Sequence, residues 1–424
     1  MRKRLWLIFG PVICAVALIL ITILLANPNP KSNYDVEKKA AVATTPQVFK
    51  SGVLKRQALS DSDHRFVPFF GSSEWKRMDS MHPSVLAEGY QRSYRPFLIG
   101  QAGATSLAQY FGMQQITDQL QDKQAVFVIS PQWFVKDAQK QKALPMFYSK
   151  AQGLDFLQNQ TGTDADRYVA RRFVQVNPKD SLTGMMTKVA DGKTLSKTDN
   201  AKIKSYLHVS NKEDAFFSTW KTADTYDKKI APKAEKLPQP YNQKVLSQLA
   251  TKTAQKDTSN NPYHIKNSFY TKRIKSHEAK LAGSQKNFNY VQSREYNDFQ
   301  AVLNQFAESN TDVMFVIPPV NKKWAEYTGL NEQMYQKSVE KMKFQLSSQG
   351  FNQVADLSKN GNKPYYMEDT VHLGWNGWLN FDQHVNRFLT TKQKAPNYKI
   401  NNQFLDNQWA MYEPKAKDDF SKFK

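Results

Sequence analysis

Arg65-Phe66-Val67-Pro68-Phe69-Phe70, closed by Gly71-Ser72-Ser73-Glu74, is a short apolar run that stops at a turn. Three more runs have the same form. Pro96-Phe97-Leu98-Ile99 ends at Gly100 and leads into Gly103-Ala104-Thr105. Ala125-Val126-Phe127-Val128-Ile129 ends at Ser130-Pro131-Gln132, and Val313-Met314-Phe315-Val316-Ile317 ends at Pro318-Pro319. A weaker fifth spans 353–357. Runs of this length without a polar face predict strands buried on both sides. Helical spacing separates them: Leu107, Tyr110, Phe111 and Ile116 over 106–121; Tyr296, Phe299, Val302, Leu303 and Phe306; then Tyr335, Val339, Met342 and Leu346, with Gly350 as C-cap. Alternation of the two patterns predicts an α/β fold with a parallel central sheet. Ligands bind such sheets at the carboxyl ends of the strands, where the first three runs end in small or polar clusters.

Between the third and fourth runs, residues 136–290 lack long apolar strands and predict a helical insertion. They hold 28 Lys or Arg against 14 Asp or Glu, two thirds of the net charge of +21. A charge excess of this kind keeps a domain soluble, and beside a bilayer it also attracts anionic headgroups or an anionic surface polymer. Composition (40% hydrophobic, 23% charged, 12% aromatic over 424 residues) excludes a disordered, collagen-like or polytopic membrane protein. With Cys14 as the sole cysteine, no intrachain disulfide and no cysteine-based zinc site is possible.

At the amino end, Arg2, Lys3 and Arg4 precede an uncharged run over 5–26. As a helix the run reaches about 33 Å at 1.5 Å per residue, enough to cross the hydrocarbon core. The run is too long and its end too poor in small residues for a cleaved signal peptide. The expectation is a cytoplasmic basic N-terminus (1–4), a single-pass transmembrane signal anchor (5–26), a polar stalk (27–62) opening with Asn27-Pro28-Asn29-Pro30, and an extracytoplasmic domain (63–424). Nucleic acid is not expected as a partner of such a domain; an anionic membrane surface is.

Ser73 follows the first strand, where a sharp turn can project its hydroxyl from the sheet edge beside helix-terminal amides. The same Gly-Ser-Ser turn is equally good capping chemistry. Seven histidines are candidate bases: His64, His82, His208, His264, His277, His372 and His384. His372 has a carboxylate at turn spacing, in Glu368-Asp369-Thr370-Val371-His372-Leu373-Gly374-Trp375. Asp369 can accept the Nδ1 proton and leave Nε2 free to take the serine proton. A following helix with Trp375, Trp378, Leu379, Val385 and Phe388 inward would anchor that turn. His82, in Met81-His82-Pro83-Ser84, is the runner-up.

A serine turn after the first strand, a glycine turn after the second, a polar amide after the third and Asp-x-x-His near the end resemble the SGNH (GDSL-like) hydrolase superfamily. That resemblance implies a flavodoxin-like three-layer sandwich. It also implies Ser73 as nucleophile with Asp369 and His372, and an oxyanion hole of Ser73, Gly103 and Gln132. Two departures stand out: Ser72 replaces the usual aspartate before the nucleophile, and Gln132 replaces the usual asparagine. Phe69-Phe70-Gly71-Ser72-Ser73-Glu74, Ser130-Pro131-Gln132-Trp133-Phe134, 316–324 and 368–375 together resemble a narrower family, DltD, the D-alanine transfer proteins of Gram-positive teichoic acid D-alanylation. This second resemblance implies serine-dependent transfer of D-alanyl groups to lipoteichoic acid, without a cofactor. The implied partners are the membrane acyltransferase DltB, the small protein DltX and the D-alanyl carrier protein pathway. On this reading Glu74 pairs with the D-alanyl ammonium or serves a helix dipole, and Trp133 and Trp324 line the cleft or pack in the core. Two other classes fit the same residues: an esterase or thioesterase acting on cell-wall polymers or the carrier, and a non-catalytic scaffold for the carrier protein and the acyltransferase.

Overall fold

A computed structural model describes residues 2–25, 33–139, 143–217, 223–415 and 419–423. All five expected strands form: β1 (Phe66–Gly71), β2 (Arg95–Gly100), β3 (Gln124–Val128), β4 (Asp312–Ile317) and β5 (Val354–Asp356). They pair in parallel in the order β2-β1-β3-β4-β5, the flavodoxin-like doubly wound order. The pleat sends alternate residues to opposite faces. Phe66 and Phe70 of β1, Phe127 of β3 and Phe315 of β4 join one core with helices Ser106–Met113, Glu295–Glu308 and Glu332–Ser347. Val67 and Phe69, Val126 and Val128, and Val316 join a second core with helices Pro83–Gly89, Gln243–Asp257 and Trp375–Thr390. Helices therefore cover both faces, which is why the strands carry no polar alternation.

The segment expected as one helix over 106–121 breaks into Ser106–Met113, a tight turn and Thr117–Leu120. Gly350 adopts φ +90°, but it stands beyond the cap at Ser348 instead of capping Glu332–Ser347 itself. The insertion between β3 and β4 is helical, and it belongs to the domain: Leu154, Val169 and Phe173 enter the first core. Its basic residues are not all surface, since buried Arg172 forks onto Asp298 at 2.9 Å through both Nε and Nη2.

Residues 34–59 correct the expectation of a stalk. They form helices Tyr34–Ala43, Pro46–Lys50 and Gly52–Leu59, and Ala40, Ala41, Val48, Phe49 and Leu54 are buried in the first core. The proposed break at Asn27-Pro28-Asn29-Pro30 and the end of the apolar run at Ala26 lie outside the described residues. Helix Arg2–Leu25 leaves Trp6, Leu7, Ile8 and Val12 exposed. Among the described residues, no helix is long and apolar enough to cross a membrane.

Candidate active site

Ser73 opens a short helical turn, Ser73–Lys76, immediately after β1. Four hydrogen bonds hold that turn at the sheet edge. The Ser72 hydroxyl donates to the Gln101 carbonyl at 3.0 Å and accepts the Gly103 amide at 3.1 Å, tying the β1 and β2 ends together. The Gln109 side chain donates to the Gly71 carbonyl. The Glu74 carboxylate folds back beneath the turn and accepts the Ser72 amide at 2.5 Å.

The second half of the site is the loop 366–374. Met367 and Leu373 bridge across it, and the Glu368 amide donates to the His372 carbonyl at 2.9 Å. Inside it, Oδ1 of Asp369 accepts the backbone amides of Val371 (3.1 Å) and His372 (3.0 Å). This local ring of bonds is what Asp-x-x-His spacing on a tight turn can close. Helix Trp375–Thr390 anchors the loop, with Trp375, Trp378, Leu379, Val385 and Phe388 all buried as the sequence predicted. Trp378 stacks on Trp75 at 6.0 Å between ring centroids and donates its indole N–H to the Arg77 carbonyl at 2.9 Å. The two halves of the site therefore share one support.

Across the gap, Ser73 Oγ lies 2.7 Å from Nε2 of His372, and Nδ1 of His372 lies 2.8 and 2.9 Å from the two oxygens of Asp369. Ser73, His372 and Asp369, 299 positions apart at their extremes along the Ser73–His372 pair, thus form one hydrogen-bonded chain. The Nδ1 proton on Asp369 leaves Nε2 with its lone pair toward the serine. Burial would raise the Asp369 carboxyl, but the adjoining His372 charge and hydrogen bond, with Arg77, hold it down at about 2.

Arg77 is a member of the site that sequence reading missed. Its Nη2 lies 2.8 Å from Oδ2 of Asp369, and its guanidinium sits 5.4 Å from the centre of the Phe269 ring, contributed by the insertion. The only signal in the sequence was position, four residues after Ser73, where a basic residue reads as surface. Lys266, also from the insertion, lies 3.3 Å from Glu368 on the same loop.

Other expected site residues fall differently. Gly103 is at the edge with φ +91°, and its amide is engaged by Ser72; the ring of Phe147 stands 3.4 Å from where a Cβ would be. Gln132 is exposed on the turn Pro131–Phe134 after β3. Glu74 is buried beneath the Ser73 turn, so it is not presented to a ligand ammonium. Burial pushes its carboxyl up, against the pull of the nearby His372 charge. Trp133 packs edge-on against Phe127 in the first core, and Trp324 packs with Tyr263 and Tyr327, so both are core residues. His82 is fully buried against Trp75 and Trp378, caps helix Pro83–Gly89, and is pushed down to about 3 by burial. A base needs access to the reacting proton, and His82 has none. Among the described residues, no cluster of His, Cys, Asp and Glu could hold a metal ion.

A doubly wound α/β domain with a serine–histidine–aspartate chain at the carboxyl edge of its parallel sheet is the class that fold and site define together. Within that class, the chain belongs to the DltD family. The sequence model described as DltD protein matches residues 41–390. The chain is 42% identical over 413 residues to Protein DltD of Lacticaseibacillus rhamnosus, covering 96% of each. It is 32% identical over 401 residues to Protein DltD of Bacillus subtilis (strain 168), covering 92% of this chain and 98% of the relative. To Protein DltD of Staphylococcus aureus (strain NCTC 8325 / PS 47) it is 24% identical over 351 residues, covering 81% and 86%.

Proposed function

We propose that this protein transfers D-alanyl groups to lipoteichoic acid by serine-dependent acyl transfer at the outer face of the membrane. The observation that carries the reading is the 2.7 Å contact between Ser73 Oγ and His372 Nε2, backed by Asp369 on Nδ1. Acyl transfer between an ester or thioester donor and a hydroxyl passes through a tetrahedral oxyanion, which is the chemistry such a chain supports. In the first half-reaction Ser73 Oγ attacks the D-alanyl carbonyl, its proton passes to Nε2, and that proton leaves with the donor's oxygen or sulfur. In the second, a glycerol hydroxyl of the acceptor gives its proton to Nε2 and attacks the seryl ester. Ser73 then takes the proton back. Asp369 keeps the imidazole in one tautomer and stabilises its cationic form throughout.

The oxyanion partner closest to hand is the amide of Ser73 itself, which opens a helical turn where N–H groups lack an intrahelical acceptor. Gly103 joins it only when its amide turns from Ser72 Oγ, and Gln132 only when its exposed side chain swings inward. An N-terminal anchor belongs to the same reading. Helix Arg2–Leu25 exposes a collar of large apolar side chains that a monomeric soluble protein would bury, and its basic start matches the cytoplasmic side. That topology would set the domain beside the membrane acyltransferase DltB, DltX and the D-alanyl carrier pathway.

Mass spectrometry of the full-length protein, trapped while turning over in D-alanylating membranes, tests the reading. An alanyl adduct on the peptide containing Ser73, absent from Ser73→Ala, is expected. Wild-type wall D-alanine content in Ser73→Ala at equal protein abundance would overturn it in favour of a scaffold.

A further inference from the structure

Beyond the end of β4, at the same edge of the sheet as Ser73, the chain closes a cavity of about 330 Å³. Its walls come from three separate segments: Tyr263 and His264 of the insertion, Asn321 and Lys323 after β4, and Lys363 and Met367 leading into the catalytic loop. Asn321 locks these segments together. Its amide donates to the Thr370 carbonyl at 3.0 Å, between Asp369 and His372, and its side-chain amide donates to the Tyr263 carbonyl at 3.1 Å. The cavity and the candidate base are therefore built on one frame.

The rim is cationic. Lys323 and Lys363 are exposed, and among the described residues no carboxylate lies within ion-pair distance of either. Lys323 Nζ donates to Nε2 of His264 at 3.0 Å, an ammonium turned to a neutral imidazole. Burial and that neighbouring charge hold His264 below its ordinary value. Positive charges gathered without a counter-charge are unfavourable unless an anion joins them. Two rim residues, His264 (φ +53°) and Tyr365 (φ +56°), also occupy the left-handed region that side chains rarely adopt. Strain of that kind collects at ligand sites.

We infer that this cavity holds a backbone phosphodiester of the polyanionic acceptor chain, with Lys323 and Lys363 as its cationic clamp. The inference rests on the acyl-transfer reading for the identity of the polymer. Held there, the chain runs past the loop that carries His372, and the neighbouring repeat brings a hydroxyl toward Ser73. The clamp supplies one of several contacts along the polymer, so a single free phosphate, which makes that contact alone, binds weakly.

The test uses full-length protein in neutral nanodiscs and a fluorescein-labelled glycerol-phosphate hexamer, read by anisotropy at low salt. Removing two such contacts in Lys323→Gln/Lys363→Gln weakens hexamer binding about tenfold, while Lys323→Arg/Lys363→Arg keeps it. Removing two exposed charges of helix Lys197–Phe217, in Lys202→Gln/Lys204→Gln, leaves it unchanged. Equal binding by the Gln pair and wild type, or equal loss in the control pair, would overturn the site. So would competition by inorganic phosphate at the same concentration as the hexamer. Loss seen only on phosphatidylglycerol nanodiscs would assign the lysines to lipid headgroups and overturn it too. Labelling of Ser73 by a fluorophosphonate requires no acceptor. If the label fails while hexamer binding follows the lysines, the acyl-transfer reading falls and the cavity stands.

Discussion

Arg77 Nη2 lies 2.8 Å from Oδ2 of Asp369, so that carboxylate is held from two sides, by His372 and by a guanidinium four residues past Ser73. The same turn that presents Ser73 thus fixes the far end of the relay. Arg77→Gln is expected to lower turnover about 10- to 100-fold while leaving acceptor affinity near wild type, because the lost contact orients a catalytic group without touching substrate. Steady-state alanyl transfer by the variant, with separate kcat and KM, checks this; a change in KM alone would place Arg77 in substrate binding.

The sign of the acid dependence follows from Asp369. Its folded value of about 2 is below the ordinary 3.8. Its contribution to stability is therefore complete above pH 3.8 and is lost as pH falls through about 2; the difference corresponds to about 2 kcal/mol. Arg77→Gln removes one of the charges that depress it, so the acid unfolding midpoint should move to higher pH. Circular dichroism between pH 5 and pH 2 reads that shift, and identical midpoints would separate Arg77 from Asp369 energetically.

Replacing Asp369 by Asn keeps the shape of the loop but lets the wrong tautomer of His372 form, at a cost of about 10⁴-fold in turnover by analogy with other serine triads. Ser73→Ala should abolish alanyl transfer altogether. The expected contrast is in fluorophosphonate labelling: absent in Ser73→Ala, slow but present in Asp369→Asn. Full labelling of His372→Ala would remove that histidine from the role of base.

The sheet was legible because its strands are buried on both faces, and only continuous apolar runs such as 125–129 and 313–317 satisfy that burial. The Asp369–His372 pair was legible because turn spacing itself closes the bond. What stayed hidden depends on partners remote in sequence. Residues 34–59 belong to a polar stretch expected as a stalk, yet Lys55 within it is fully buried and its Nζ donates to the Phe49 carbonyl at 3.0 Å and to Gln115 Oε1 at 2.8 Å. Glu74, expected either to pair with the D-alanyl ammonium or to serve a helix dipole, stands in the first turn after Ser73 but is buried, filling space that only a glycine at 71 leaves. Trp133 lies in the turn Pro131–Phe134 after β3 and Trp324 in helix Lys322–Thr328 after β4, where the sequence alone does not say whether a ring turns inward.

Gly71 makes the turn that carries Ser73 possible. A Cβ there would overlap the Glu74 carboxylate and stand 2.6 Å from Nε1 of Trp75, both buried. Gly71→Ala must displace Glu74 from the Ser72 amide, and overpacking of this kind costs about 1–3 kcal/mol. The expected signature is a lower melting temperature together with loss of Ser73 labelling. Gly71→Ala/Glu74→Ala, which relieves the overlap with Glu74 but not the close approach to Trp75, should recover part of the stability and less of the activity. Recovery of both in equal measure would show that Glu74 does not shape the turn.

Far from the site, Lys341 closes the carboxyl-terminal segment onto the domain. Its buried ammonium donates to the carbonyls of Val291 (2.8 Å), Ala410 (3.1 Å) and Tyr412 (2.8 Å), and lies 4.0 Å from the centre of the Tyr296 ring and 4.9 Å from that of Trp409. Three bonds use all three ammonium protons, so no water and no second side chain is needed to satisfy it. Lys341→Met keeps the stem and its packing but strands the carbonyls of Val291 and Tyr412, while that of Ala410 keeps the Ser293 amide at 3.1 Å; the expected cost is about 2 kcal/mol. Because the loss falls where Phe404, Trp409 and Phe420 pack on Phe344 of helix Glu332–Ser347, limited proteolysis should cut the tail of the variant first, with Ser73 labelling retained until the tail is gone. Simultaneous loss of tail and labelling would instead make the clamp part of a single cooperative unit with the site, since local opening and global unfolding then coincide.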